Sequence, residues 1–160
     1  MLKMPNAYTA DYWIERFNLQ KHPFMNGYFH ESFRDPMTVT HPMVREERSA
    51  SSLIYYLHLP DGPLNSRTVF YQQKSTVTTH FYTGKPVTIY TVSNKAKEEI
   101  VLGITGGIWH VSIEPGIWFT RILDMPKSKS MKNFSLVGVS LSPGFDTEDL
   151  ITKSYGEIMQ

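Results

Sequence analysis

The sequence contains no cysteine. That absence removes disulfides, thiolate metal sites and cysteine nucleophiles together, so any bound metal would need histidines and carboxylates. An excess of one charge is also lacking. Sixteen Lys and Arg stand against fifteen Asp and Glu, a net of +1, so no global field draws nucleic acid or an anionic membrane, and a partner has to be recognised locally. Apolar runs are short of the roughly 18 residues of a membrane span, and the opening MLKMPNAYTADYW has no apolar signal core. The expectation is a soluble, cytoplasmic protein without membrane or nucleic-acid partners. Chemical motifs are scarce too. GITGG (103–107) lacks the Lys-Ser/Thr ending of a phosphate loop and reads as a tight turn. The basic cluster KSKSMK has no interleaved aromatics and reads as a solvated loop, and no G-x-S-x-G nucleophile motif occurs.

What is present is a core. The chain has 160 residues, of which 41% are apolar and 13% aromatic, enough for one domain spanning 1–160. The segment TADYWIERFN (9–18) predicts one short helix, with Thr9 as cap and Trp13, Ile14 and Phe17 on one face. From about residue 28 the pattern changes to period-two runs broken by Gly, Pro, Asn and Asp. Strands are predicted at 28–33, 52–59, 67–73, 77–82, 87–93, 100–102, 109–114, 117–122 and 134–140. About nine short antiparallel strands define an all-β jelly roll or closely related barrel over about 28–145. The stretches 35–48 and 124–133 read as surface loops. The tail 146–160 reads as a helical turn or more, capped by Asp146 or Thr147.

An ordered set of segments carries a resemblance. His22-Pro23-Phe24-Met25-Asn26-Gly27-Tyr28-Phe29-His30-Glu31-Ser32 comes first and Val137-Gly138-Val139-Ser140-Leu141-Ser142-Pro143-Gly144-Phe145-Asp146 last. Arg48-Ser49-Ala50, His80-Phe81-Tyr82-Thr83-Gly84 and Gly116-Ile117-Trp118 fall between them in order. The set, over roughly 12–150, resembles the small cupin-like family of unknown function. The resemblance implies a cupin jelly roll (double-stranded β-helix), usually paired into a homodimer.

The resemblance also implies metal-binding positions, and here the sequence departs from it. The family's His, Glu and Gln or His would fall at Tyr71, Val77 and Phe119. Val77 and Phe119 offer no donor, and a phenol with a pKa of about 10 is a poor neutral-pH ligand. A divalent cation needs three or more converging His or carboxylate ligands. The expectation is therefore a degenerate site with no metal and no other cofactor.

Tyr28, His30, Arg48, Tyr71, Tyr82, Trp118 and Phe119 are the expected ligand-binding residues. Among them Tyr28, His30 and Tyr82, together with His80, are the catalytic candidates if chemistry occurs, as hydrogen-bonding or proton-transfer groups. Strand alternation sets His80 opposite Val77, away from the barrel unless a bulge intervenes. His22, His41 and His58 read as surface or cap residues. Three functions follow. The leading one is a metal-free jelly roll binding a small molecule, not an enzyme. The alternatives are a metal-independent sugar or nucleotide-sugar epimerase or isomerase, and a structural or interaction protein whose barrel is filled.

Overall fold

A computed structural model describes residues 8–160; residues 1–7, the start of the segment read above for a signal core, lie outside the described residues. Helix α1 (Ala10–Arg16) starts after Thr9, the expected N-cap, which makes no side-chain cap bond, and it ends short of residue 18. Its apolar stripe of Trp13, Ile14 and the following Phe17 packs on Leu19, Leu57, Phe134 and Leu136. Phe17 stacks on Tyr55 with ring centroids 4.2 Å apart. The helix therefore covers the outside of a sheet, and the barrel interior lies on that sheet's other face.

Thirteen strands follow in chain order: β1 (Gln20–Lys21), β2 (Gly27–Arg34), β3 (Thr38–Thr40), β4 (Glu47–Ser49), β5 (Ser52–His58), β6 (Val69–Gln73), β7 (Thr76–Gly84), β8 (Val87–Ser93), β9 (Ala96–Leu102), β10 (His110–Ile113), β11 (Trp118–Ile122), β12 (Ser135–Ser142) and β13 (Leu150–Ser154). Helix α2 (Tyr155–Met159) ends the chain. One sheet runs β1-β2-β5-β12-β7-β10 and the other β13-β6-β11-β8-β9, while β3 and β4 form a separate hairpin. Neighbours far apart in sequence, such as β5 beside β12 and β6 beside β11, pair antiparallel. This is the strand crossing of a jelly roll, as the sequence reading expected.

Alternation decides what enters the barrel. In β7, Val77, Thr79 and Phe81 are buried, while Thr78, His80 and Tyr82 turn outward. A bulge does occur, but it lies between Leu136 and Val137 and displaces Tyr82 from the ladder, beyond the 77–81 stretch. Across the barrel Phe119 joins the core with Val137, Val139 and Leu141 of the facing sheet. Trp118 and Ile122 pack on the opposite face of β11 with Phe70, Tyr90 and Val92.

Two regions differ from the reading. Residues 35–48, expected as a loop, contain β3 and most of β4. The tail does form a one-turn 3-10 helix (Thr147–Asp149) capped by Asp146. It then adds β13 to the edge of the second sheet beside β6, a strand that the helical reading of 146–160 did not include. Helix α2 begins with a capping box between Ser154 and Glu157. Among the described residues no helix is long and apolar enough to cross a membrane.

Candidate functional site

The site grows out of β11. Phe119 faces the barrel, so period-two geometry puts Arg121 on the same side. Arg121 is 9% exposed. Its guanidinium lies 5.6 Å from the Phe119 ring and 5.8 Å from the Tyr56 ring. One of its amino groups donates a long 3.4 Å hydrogen bond to Thr79 Oγ1 of the facing sheet. Its Nε has no partner. Among the described residues no carboxylate comes within 4.0 Å of it. Burial lowers its pKa, and Tyr56 and Tyr71 act the other way. An arginine stays charged through any such shift, so a cation stands inside the barrel without a counter-ion.

A cavity of about 320 Å³ opens beside Arg121. Its walls are mainly apolar: Phe29, Ile54, Val77, Phe119, Val139 and Leu141. The loop between β1 and β2 supplies its rim, where Phe24 is exposed and approaches Tyr71 at 6.4 Å between ring centroids. A second depression of about 220 Å³ shares Tyr56, Tyr71 and Arg121 as walls and adds His58, Asn26 and Asp61.

Polar groups punctuate these walls, more of them in the second depression than in the first. His22 accepts a 3.1 Å hydrogen bond from the Met25 amide on Nδ1, which leaves Nε2 to carry the proton of the neutral ring. Burial, then Arg121, lowers the His22 pKa. The same two causes, in the same order, hold His58 well below the ordinary histidine range. His58 packs against Tyr56 with the rings tilted and their centroids 4.4 Å apart. The Tyr56 hydroxyl, His58 Nε2 and Gln73 Oε1 are buried without hydrogen-bond partners. Burial, reinforced by Asp61 and opposed by Arg121, pushes the Tyr71 hydroxyl up to about 12. It raises Tyr56 as well. Both phenols are therefore protonated at neutral pH.

The expected ligand-binding residues separate into two groups. Tyr71 and Phe119 are cross-strand partners and line the cavity. The other five lie outside it. Tyr28 points to the helix-covered side, packed in the Leu57 cluster, because Phe29 is the neighbour that faces the barrel. His30 shares the face of Tyr28. Trp118 lies on the outer face of β11, with the Lys153 ammonium 5.6 Å above its ring. Tyr82 is exposed on the outer face of β7, 6.0 Å from Tyr55 between ring centroids. Arg48 is occupied elsewhere, with Nε 2.8 Å from Asp149 and further bonds to Glu46 and the Glu47 carbonyl. His80, a catalytic candidate, faces outward beside His110, with ring centroids 6.1 Å apart. Burial, then His110, lowers its pKa.

Arg121, Tyr56 and Gln73 are site residues that the sequence reading did not single out. His22 and His58, read as surface or cap residues, also belong to the site: His58 is fully buried and His22 half-buried at the cavity wall. His41 is buried too, capping its own turn through Nδ1 and lying 3.1 Å from Ser75 Oγ through Nε2. Parity along β5 and β11 was the available signal, since His58 follows Tyr56, and Arg121 follows Phe119, by two residues.

The cupin fold raises the question of a metal, and the residues present do not fit one. Tyr71, Val77 and Phe119 supply one phenol and two hydrocarbons, the buried charge beside them is the Arg121 cation, which repels another, and the one wall carboxylate, Glu31, is paired with Arg34. Among the described residues no three His or carboxylate groups converge as a ligand set.

Residues 11–152 match the family model described as Cupin superfamily (DUF985). A hypothetical protein from Leishmania major is similar in structure, with a TM-score of 0.76, 23% identity, and coverage of 90% of this chain and 86% of that one. A protein from Shewanella oneidensis gives a TM-score of 0.65 and 25% identity, over 92% of this chain and 85% of that one. Oxalate decarboxylase from Bacillus subtilis shares the fold alone, at a TM-score of 0.51 and 11% identity, over 90% of this chain and 31% of that one. No curated protein matches the chain.

Proposed function

The chain belongs to the Cupin superfamily (DUF985), and from that premise we propose that its barrel is a metal-free binding site for a small organic molecule. The carrying observation is an apolar-walled cavity of about 320 Å³ in which Val77 and Phe119 stand beside a buried arginine. The volume falls within the range of small-ligand pockets, and a few polar groups among apolar walls is the usual composition of such sites. An open cavity of this size also speaks against a barrel closed by its own side chains. The expected assembly is a homodimer, checked by light scattering on the purified protein.

The test joins elemental analysis to binding. Protein purified without chelator should carry less than stoichiometric transition metal. It should bind a neutral aromatic probe, N-phenyl-1-naphthylamine, saturably and equally with or without EDTA, while Ile54→Trp at the cavity wall weakens the probe. Stoichiometric metal held by barrel side chains, or binding that EDTA abolishes, overturns the reading.

A second reading, a metal-independent epimerase or isomerase, has one observation in its favour. The Tyr56 hydroxyl and His58 Nε2 are buried and unpaired on rings whose centroids lie 4.4 Å apart, and burial holds the phenol protonated and the imidazole neutral. Of the residues that the sequence offers for it, Tyr28, His30, His80 and Tyr82 lie outside the cavity and Tyr71 lines it. Deuterium wash-in from D2O at the α-carbon of a single mandelate enantiomer, lost in Tyr56→Phe, would favour this chemistry over simple binding.

A further inference from the structure

Resting on the binding reading above, we propose that the ligand is a small, largely apolar monoanion whose carboxylate pairs with Arg121 inside the barrel. A guanidinium has five N–H donors. Here a single long bond to Thr79 is made, Nε is unpaired, and no carboxylate of the described residues is within reach. The Phe119 and Tyr56 ring faces offset part of the desolvation through cation–π contact. They supply neither a counter-charge nor an in-plane acceptor. A buried charge left in this state is costly, and a bound carboxylate answers it with paired, charge-assisted hydrogen bonds.

Three further polar groups lean the same way. His22 presents Nε2–H as a neutral ring, and the Tyr56 and Tyr71 hydroxyls keep their protons. The wall also carries the Glu31 carboxylate, which is paired with Arg34, and the unpaired acceptor Gln73 Oε1; beside the Arg121 cation the three donors suit a ligand that brings acceptors to that end. The opposite walls, Ile54, Val77, Val139 and Leu141, are hydrocarbon. The rest of the ligand is accordingly apolar. One desolvated cation balances one negative charge, so a phosphate dianion would carry uncompensated charge into the barrel. At about 30 Å³ per water-sized group, the cavity admits roughly ten non-hydrogen atoms. Phenylacetate and isovalerate are of the right scale.

The test uses calorimetry or ligand-observed NMR on the full chain. The probes are benzoate, phenylacetate, isovalerate, the three corresponding primary amides and inorganic phosphate. At least one carboxylate should bind ten-fold or more tightly than its amide on the wild-type protein, and Arg121→Met and Arg121→Gln should both erase that preference. Thermal melting checks the variants, and Arg121→Met should melt at or above the wild-type temperature, because it removes a buried unpaired charge. Amides that bind as well as their carboxylates overturn the anion inference and leave the binding reading standing. Failure of every organic probe, the neutral naphthylamine included, overturns both. Preference for inorganic phosphate overturns the apolar monoanion.

Discussion

At the scale of single residues, the backbone and the barrel interior tolerate different things. Gly84 ends β7 at a φ of +102°, and a Cβ there would overlap the Phe134 carbonyl oxygen. That oxygen is held by a 2.7 Å hydrogen bond from the Lys85 amide and cannot withdraw without breaking it. Gly84→Ala therefore combines left-handed strain with a backbone clash and should cost about 2 kcal/mol or more. A urea midpoint unchanged from wild type would disprove this. The interior contrasts with it, since Arg121 pays desolvation without a counter-ion and its loss should not destabilise the fold. Sites kept for binding often hold groups that stability alone would remove.

At the scale of elements, the Arg48 guanidinium fastens β4 to the 3-10 turn that leads into β13. Its Nε and one amino nitrogen lie 2.8 and 3.2 Å from the two Asp149 carboxylate oxygens. The hydrogen bond and charge of Arg48 lower the Asp149 pKa below its ordinary 3.8. A depressed carboxylate pKa contributes stability above the unfolded value and loses it as pH falls through the folded one. Asp149→Asn should thus lower the urea midpoint at pH 7 and flatten the loss of stability below about pH 4; an acid limb parallel to wild type would rule the tie out. This connection also marks where the sequence was opaque. Strands β5, β7, β8 and β12 were legible because long period-two runs lie between turn residues. The three-residue strands β3 and β4 sit among Pro and charged residues, and β13 reads LITKS with no buried face, so neither showed a period. The site was half legible. Tyr71 and Phe119 stood out as replaced ligand positions, but both faces of IWFTRI carry apolar residues, and an arginine near a strand end reads as solvated. Tyr28 and His30 were placed by their chemistry, and only the covering helix shows that their face is outside.

At the scale of the whole molecule, a buried histidine and a half-buried carboxylate at the same depression pull the pH dependence of folding in opposite directions. Burial, then Arg121, keeps His58 neutral far below its ordinary value of 6.5. The unfolded chain takes up that proton as pH falls below about 6.5 and the folded chain does not, so stability is lost on acidification from that point. Asp61 has the reverse sign. Burial pushes its carboxyl up to about 6 from an ordinary 3.8, against hydrogen bonds from the Leu123 amide and Asn26. Between those values the folded state holds a proton that the unfolded state has released, so this contribution is present at low pH and fades as pH rises through about 6. In the wild-type protein the two slopes partly cancel between pH 4 and 6. His58→Phe should remove one source of acid loss and flatten the profile between pH 6 and 4.5, where His22 and His80 still oppose the Asp61 slope, whereas Asp61→Asn should leave the histidine loss unopposed and steepen it. Urea midpoints at pH 4.5, 5.5 and 7 measure both, and profiles of the two variants that run parallel to wild type would show that neither group titrates differently on folding.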